Sequence, residues 1–316
     1  MSLPQLDGPT FITEGGMETV LIFHEGLELP DFASFVLLDD EAGSEALRAY
    51  FRRFLAIGRE HGVGVLLDTP TWRASPDWGE RLGYSRERLA ELNRRGVELL
   101  EGLRAETGGD PPLLISGCIG PRGDGYVVGE QMSADEAERY HSFQADVFAD
   151  TGADAVSALT LTYADEAVGI VRAVHKTGLP VVISFTVETD GRLPSGQTLG
   201  EAIEHVDAET NGGAAYFMLN CAHPTHFAGA LEADAAWIGR LRGIRANASK
   251  LSHAELDEAE TLDEGDPAEL AAAYRELSER LPALSVFGGC CGLGAGATRF
   301  EGPEVRAGCV APVACW

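Results

Sequence analysis

Short runs of aliphatic and β-branched residues alternate with longer stretches of helical periodicity along most of the chain, and this alternation limits the fold more than any other feature of the sequence. The runs at 63–68 and 180–187 are nearly continuous in apolar residues, which is typical of parallel strands buried on both faces. The helical stretches repeat apolar residues at spacings of three and four. The pattern predicts strands at 11–15, 63–68, 113–116, 155–161, 180–187, 214–220, 243–246 and 284–287, and helices at 45–61, 86–106, 133–150, 165–176, 199–206, 226–241 and 267–280.

About eight βα repeats follow one another without a linker or a low-complexity segment. Parallel βαβ units need crossover connections, and eight of them in a row favour a closed (β/α)8 barrel over an open sheet. A GxGxxG motif after the first strand and a Walker A motif are both missing, which disfavours the nucleotide-binding folds. We therefore predict an α/β protein, a (β/α)8 TIM barrel that forms a single domain over residues 1–316, with a wrapping tail at 302–316 and a solvated acidic loop at 255–266.

The composition excludes several classes of protein. The 316 residues are 45% hydrophobic, which is enough for a large core and argues against disorder. The net charge of −26 disfavours nucleic acids and anionic membranes as partners, because both require a positively charged surface. The first residues lack the basic and apolar segments of a secretory signal, so we expect a cytoplasmic location. Six cysteines are too few for a disulfide scaffold in a chain of this size and fit a reducing compartment.

Three cysteines stand at the ends of predicted strands, where a (β/α)8 barrel carries its chemistry. Cys221 follows the sixth strand (FMLNC), and Cys290 and Cys291 follow the eighth (VFGGCCG). Three thiols that meet at one rim suit Zn²⁺, and three protein ligands with an open fourth position are the pattern of a catalytic site. The glycines at 288, 289 and 292 allow the bend that two adjacent ligands need. The alternative is that these cysteines are small buried hydrophobic residues, as we expect for Cys118.

The motifs of this chain resemble those of the homocysteine S-methyltransferase family, and the resemblance covers nearly the whole sequence. It is carried by GGM at 15–17, TPTWRAS at 69–75, GCIGPRG at 117–123, LNCAHP at 219–224, NAS at 247–249 and GGCCG at 288–292. The last of these motifs is the most specific. The resemblance implies a zinc-dependent thiol methyltransferase on a (β/α)8 barrel, with Cys221, Cys290 and Cys291 as the ligands of Zn²⁺.

Thiol chemistry explains why such an enzyme would use zinc. A free alkyl thiol has a pKa of about 8.5 and is mostly protonated at neutral pH, whereas the thiolate is the nucleophile. Coordination to zinc deprotonates an incoming thiol. Three thiolates around Zn²⁺ leave the site with a net negative charge, which favours a cationic sulfonium or quaternary ammonium methyl donor.

The resemblance also implies which residues hold the substrate. Glu14 stands where the family has a carboxylate for the ammonium group of homocysteine, and Gly15, Gly16 and Met17 follow it as the rest of the substrate-binding opening motif. We expect Glu14 to act in catalysis together with two strand-end amides, Asn220 and Asn247, which offer polar contacts to the amino acid. An ordinary turn role, typical of Asn, is the alternative for both amides.

The end of the fourth strand departs from the family pattern. The family has FET there, whereas this chain reads SALTLTY, and an ungapped alignment places Leu159 at the Glu that also holds the substrate amine. Thr160 and Thr162 offer only hydroxyl groups in its place, and we take Thr160 as a candidate substrate contact. Trp72 on the second loop could meet a cationic methyl donor with its ring face, or it could simply pack at the rim.

We therefore predict that the protein moves a methyl group from a sulfonium donor, S-methylmethionine or S-adenosylmethionine, to homocysteine, giving methionine. The chain lacks room for cobalamin and folate modules and is too short for the dimerisation arm of the betaine enzymes, which favours a sulfonium donor. One alternative is a methyltransferase for a different thiol or a selenol. The other is a zinc-binding barrel that has lost catalysis. The expected partners are small molecules, and the sequence leaves open whether the protein forms a homo-oligomer.

Overall fold

The computed structural model describes residues 3–231, 234–259 and 261–291, and within them eight parallel strands close into a barrel. Each strand pairs with the next one along the chain, and the first pairs with the eighth. This confirms the predicted (β/α)8 barrel. The strands are β1 (Phe11–Thr13), β2 (Gly64–Asp68), β3 (Leu113–Ile119), β4 (Ala155–Leu161), β5 (Val181–Phe185), β6 (Tyr216–Asn220), β7 (Leu241–Ala246) and β8 (Val286–Gly289).

Helices surround the barrel, as the alternation predicts. They are α1 (Met17–Thr19), α2 (Glu41–His61), α3 (Pro76–Arg81), α4 (Arg86–Thr107), α5 (Ala134–Ala149), α6 (Ala164–His175), α7 (Leu199–Thr210), α8 (Pro224–Phe227), α9 (His253–Asp257) and α10 (Pro267–Arg280). The longer helices begin at side-chain caps: Asp40 caps α2, and Ser133 with Glu136 forms a capping box on α5. Within the described ranges, no helix has both the length and the apolar composition that crossing a bilayer requires.

The predicted helix at 226–241 is wrong. The chain between β6 and β7 instead contains α8, followed by 3-10 turns at Ala228–Ala230 and Ala236–Arg240, and β7 already begins at Leu241. Contacts with α7 favour this path over a helix. The ring of Trp237 lies so close to Gly200 that a Cβ there would be 2.5 Å from its Nε1, and Arg240 donates to both carboxylate oxygens of Asp207 at 2.8 and 3.0 Å.

The interior of the barrel changes from apolar to polar toward the carboxyl ends of the strands. Near the amino end, Tyr216 and Met218 of β6 pack with Val182 and Val286. Side chains of a strand point to the same face at every second position, so Asn220 follows Tyr216 and Met218 into the interior. Asp68 and Arg245 are buried near the same end, on β2 and β7. The polar end is where the candidate site lies. Gly292, the cysteines at 309 and 315 and the tail at 302–316 lie outside the described residues.

A substitution at Gly64 of β2 tests how tightly the interior of the barrel is packed. A Cβ at this position would lie 2.3 Å from the ring of Phe11 on β1. We expect Gly64→Ala to lower the free energy of unfolding by about 1–3 kcal/mol, because it overpacks the barrel interior. The measurement is urea unfolding followed by circular dichroism.

The matched control is Gly102→Ala on the exposed face of α4, where a Cβ would meet no atom within 4 Å. This change should raise the free energy of unfolding by about 0.5–1 kcal/mol, because glycine is a poor helix former. Equal effects of the two substitutions would contradict the close packing of Gly64.

Candidate metal and substrate site

A cavity of about 330 Å³ opens at the carboxyl end of the barrel. This is the size of a small-molecule site, and it lies where (β/α)8 enzymes carry their chemistry. Its wall includes the three strand-end cysteines and most of the residues predicted to hold substrate. Those predicted residues are Glu14, Gly15, Gly16, Met17, Trp72, Thr160 and Asn220, and Leu159, the apolar departure from the family pattern, lies beside them.

The structure brings the three strand-end cysteines together. The Sγ atoms of Cys221, Cys290 and Cys291 all lie within 4.8 Å of one another. Backbone bonds between β7 and its two neighbours fix their places, since Cys221 N donates to Arg245 O at 3.0 Å and Cys290 N donates to Ala246 O at 2.9 Å.

The donor set of this cluster fits Zn²⁺. In the described part of the chain the cluster consists of three convergent sulfurs, and three protein ligands with an open fourth position are what a catalytic zinc site offers. Cys221 and Cys290 are joined as a disulfide in the structure, so both must be reduced before all three thiolates can bind one ion. The role of the cluster as a zinc site stays a prediction.

Cys221 is held in an unusual backbone conformation, with φ of 57°. Two side chains point at its carbonyl oxygen: Asn247 Nδ2 donates to it at 3.1 Å, and His253 Nε2 lies 2.6 Å from it. The other ring nitrogen of His253 lies 3.2 Å from a carboxylate oxygen of Glu188. A positive φ costs free energy in a residue other than glycine, and these contacts stabilise it. Asn247 thus supports the backbone at Cys221, and its expected contact to substrate stays a prediction.

Tyr126 and His253 form a second layer around the cysteines. Their rings lie 4.3 Å apart, and the Tyr126 hydroxyl is 3.7 Å from Cys291 Sγ. Neither residue was predicted as a site residue. Tyr126 lies in a loop and His253 begins the short helix α9, and the sequence pattern gives no spatial order for either segment.

Arg245 of β7 joins two buried carboxylates on the opposite side of the cavity. Its Nη2 donates to Glu14 Oε1 at 2.6 Å, and its Nη1 donates to Asp68 Oδ2 at 2.5 Å. Glu14 Oε2 accepts from the backbone N–H of Asp68 at 3.2 Å, so both oxygens of Glu14 are engaged. All three side chains are almost completely buried. Glu14 lines the cavity as predicted, but its carboxylate is already bound to an arginine.

Burial dominates the electrostatics of this cluster. The pKa of Glu14 is raised to about 7, because burial raises it more than the Arg245 guanidinium lowers it, and the nearby Asp68 carboxylate contributes to the rise. The two carboxylates raise the pKa of Arg245 above its ordinary value against the opposing effect of burial. The guanidinium group of Arg245 therefore stays charged, and its charge makes it possible to bury Glu14 and Asp68 beside each other.

Asn220 shapes the end of the fourth strand through both the oxygen and the nitrogen of its amide. Its Oδ1 accepts from Thr160 N at 2.9 Å and from Ser184 Oγ at 2.6 Å, and its Nδ2 donates to Thr160 Oγ1 at 2.8 Å. Thr160 has φ of 64°, which is rare for a β-branched residue, and Asn220 stabilises that conformation. Leu159 presents an apolar side chain to the cavity beside them.

The ring of Trp72 makes a cation–π contact with the neighbouring Arg73. The guanidinium of Arg73 lies 4.1 Å from the centre of Trp72 and 3.8 Å from the centre of Trp78. Burial lowers the pKa of Arg73 to about 10. Trp72 Nε1 donates to Leu159 O at 3.2 Å, which fixes the indole at the cavity wall. One cation–π contact of Trp72 is therefore made inside the protein, and a role of this ring with a methyl donor stays a prediction.

Gly16 is the tightest point between β1 and the cysteines. A Cβ there would lie 2.7 Å from the carbonyl oxygen of Cys290, so only glycine allows this approach. Gly16 also stands immediately before α1, which begins at Met17. This packing accounts for the glycine at position 16, and the role of the GGM motif in binding substrate stays a prediction.

The acidic segment at 255–266 is not the wholly solvated loop that its composition predicts. Its charged residues Glu255, Glu258 and Glu264 are exposed, but Leu256 and Leu262 are half-buried and line the cavity. The apolar positions between the acids were the signal for this contact. Cys118 is buried at the end of β3, as expected, and also reaches the cavity wall.

Comparisons with known proteins give the fold and then the family. Solved structures that are similar in fold include the homocysteine methyltransferase MmuM from Escherichia coli, in three forms. The oxidised form is 18% identical with a TM-score of 0.69, covering 90% of this chain and 92% of that one. The metallated form is 19% identical with a TM-score of 0.67 and covers 91% and 93%. The apo form is 17% identical with a TM-score of 0.57 and covers 91% and 92%.

The sequence profile of the family described as homocysteine S-methyltransferase matches residues 11–299. This chain belongs to that family, and it is a methyltransferase. The comparison with curated protein sequences gives no match.

Arg245 generates a prediction about stability. We expect Arg245→Gln to lower the free energy of unfolding by about 3–5 kcal/mol at pH 7.5, because it leaves two buried carboxylates without their cation. The loss should shrink at pH 5, where protonation removes the charge of Glu14, whose pKa is about 7. Urea unfolding at the two pH values measures both effects.

Arg52→Gln is the control for Arg245→Gln. Arg52 pairs with Glu45 and Glu106 on the surface, with its own side chain 42% exposed. Removing such a surface pair should lower the free energy of unfolding far less than Arg245→Gln does, because solvent screens the charges. An Arg245 variant as stable as the Arg52 variant would contradict the arrangement described here.

Proposed function

We propose that this protein is a zinc-dependent methyltransferase that methylates the thiol of homocysteine and so forms methionine, in the cytoplasm. The observation that carries the proposal is the cluster of three cysteine sulfurs within 4.8 Å of one another at the mouth of the barrel. Membership of the family supports the thiol acceptor, and MmuM is a homocysteine methyltransferase that has been solved in a metallated form.

Cys221, Cys290 and Cys291 would hold the zinc ion in their reduced state. When bound there, zinc supplies a fourth position at which an incoming thiol loses its proton. Other residues of the chain position the ligands and line the cavity. Asn247 and His253 fix the backbone at Cys221, and Gly16 allows β1 to lie directly against Cys290. Leu159 and the half-buried leucines of the acidic segment exclude water from the cavity.

The charge of the cavity favours a cationic methyl donor. Five carboxylates line it, from Glu14, Glu18, Asp68, Asp124 and Asp263, against the two guanidinium groups of Arg73 and Arg245. A sulfonium such as S-methylmethionine or S-adenosylmethionine carries the complementary charge and loses it when the methyl group leaves. A negatively charged wall stabilises the donor while it is bound.

A different thiol or a selenol is the second candidate acceptor. Leu159 favours it, because an apolar residue stands where the family pattern has a carboxylate for the amine. The presence of all three thiols argues against a barrel that has lost catalysis. An assay of each sulfonium donor against homocysteine and other thiols, read by mass spectrometry of the methylated product, separates these candidates.

The metal generates the next prediction. We expect the reduced protein to bind about one zinc ion per chain. The variants Cys221→Ser, Cys290→Ser and Cys291→Ser should each lose most of the metal and the methyl transfer, because two thiolates do not make the site. The barrel should remain folded, since a domain of this size has its own core. Metal analysis by mass spectrometry, with circular dichroism of the same samples, measures both.

Cys118→Ser is the matched control, because this buried thiol also lines the cavity but is not among the three clustered sulfurs. It should keep its zinc. Full zinc occupancy in the double variant Cys290→Ser, Cys291→Ser would rule out the assigned ligands.

A further inference from the structure

The five carboxylates of the cavity differ in how much of their hydrogen-bonding capacity is used. Both oxygens of Glu14 accept, from Arg245 and from the Asp68 backbone. Glu18 accepts from Ser34 at 2.7 Å. Asp263 accepts from Ser249 and from the N–H of Gly265, at 2.6 and 3.0 Å. Asp124 is half exposed and accepts from two backbone N–H groups of its own loop.

Asp68 is the exception. Its Oδ2 accepts from Arg245, but its Oδ1 is buried and has no hydrogen-bond partner among the residues that the structure describes. Asp68 ends β2 on the face that turns into the barrel, and it lines the same cavity as the three cysteines. A buried carboxylate oxygen without a donor is costly, and a ligand that supplies the donor would remove this cost.

We propose that Asp68 binds the ammonium group of the acceptor amino acid, with Oδ1 receiving an N–H while Oδ2 stays bound to Arg245. The inference rests on the proposed function and deepens it. It assigns the acceptor to the α-amino thiols rather than to simple alkyl thiols, and it moves the amine site from the fourth strand to the second. Asp68 is then a residue that determines specificity.

The neighbours of Asp68 support this placement. The carboxylate that the sequence comparison expects at the fourth strand is absent, because Leu159 is apolar and the Thr160 hydroxyl already accepts from Asn220. Glu14, which the sequence analysis assigns to the amine, has both oxygens engaged. Arg245 holds Glu14 and Asp68 rigidly, so the free oxygen of Asp68 has a fixed direction.

The charge balance points the same way. Two acids and one guanidinium group leave one negative charge without a partner, and the pKa of Glu14, raised to about 7, reflects the cost of burying it. A bound ammonium group would complete two cation–carboxylate pairs. An α-amino thiol brings that cation, whereas its deaminated analogue does not.

The test compares two thiols that differ only in the amine, homocysteine and 4-mercaptobutanoate, on the reduced, zinc-loaded protein. Calorimetric binding constants and kcat/KM for methyl transfer are measured for each thiol. The unmodified protein should prefer homocysteine. Asp68→Asn removes one partner of Arg245 and so should lower the affinity for both thiols somewhat, but it should weaken the binding of homocysteine by about 10- to 100-fold more than that of 4-mercaptobutanoate, the range of a charge-assisted hydrogen bond.

Glu14→Gln is the matched control, because it removes the same charge from the same cluster but at oxygens that are already bound. It should weaken the binding of both thiols to the same extent, because Arg245 loses one of its two carboxylate partners. Equal losses on both thiols in Asp68→Asn, or no preference for homocysteine in the unmodified protein, would overturn the assignment. If Asp68→Asn does not fold, Asp68→Glu replaces it, because this variant keeps the charge but displaces it. It should still weaken the binding of homocysteine more than the binding of 4-mercaptobutanoate.

The binding data separate this inference from the proposed function. Selective, Asp68-dependent binding of homocysteine without methyl transfer would uphold the amine site and reject the reaction. Methyl transfer with equal binding of the two thiols would uphold the reaction and reject the amine site.

Discussion

Closure of eight parallel strands into a barrel is the constraint on which the site depends. Parallel strands end at the same rim, so the residues that follow β1, β2, β6, β7 and β8 meet although up to 277 positions separate Glu14 from Cys291. Backbone bonds of β7 to both of its neighbours fix the distance between Cys221 and Cys290. Cys221 and Cys290 lie close together because their backbones are bonded to β7, and Cys291 follows directly in the chain.

The second constraint is the burial of charge at this rim. A single guanidinium group, that of Arg245, makes it possible to bury Glu14 and Asp68 beside each other. Removing such a group would leave uncompensated charge in a place with little water, which is among the most destabilising changes a core can undergo. The same cluster gives the cavity its negative character and so links the stability of the barrel to its choice of cationic ligands.

Sequence reasoning predicts the barrel and the cysteine cluster well, because both rest on local patterns. The alternation of strands and helices is visible along the chain, and the strand-end positions of Cys221, Cys290 and Cys291 are visible in single motifs. The helix predicted at 226–241 fails because apolar spacing says nothing about Trp237 packing on Gly200 of another helix. Local periodicity cannot represent a contact made 37 residues away in sequence.

The polar contacts of the site are harder to predict, since each joins distant positions. Arg245 stands in the strand segment GIRA, and an arginine between apolar strand residues was a signal of a buried charge. Its partners, 231 and 177 positions away, could not be read from that signal. The hydrogen bond of Asn247 to Cys221 was equally out of reach, because the sequence places a residue at a strand end without the direction of its side chain.

The central claim is that the three cysteines present a metal whose open position takes the acceptor thiol, and zinc X-ray absorption tests it most directly. Spectra of the reduced, zinc-loaded protein are recorded before and after saturation with homocysteine. The account predicts three sulfur neighbours before addition and four afterwards, with the new sulfur at about 2.3 Å. A sulfur count that stays at three under saturating thiol, in a sample for which turnover is demonstrated, would contradict it.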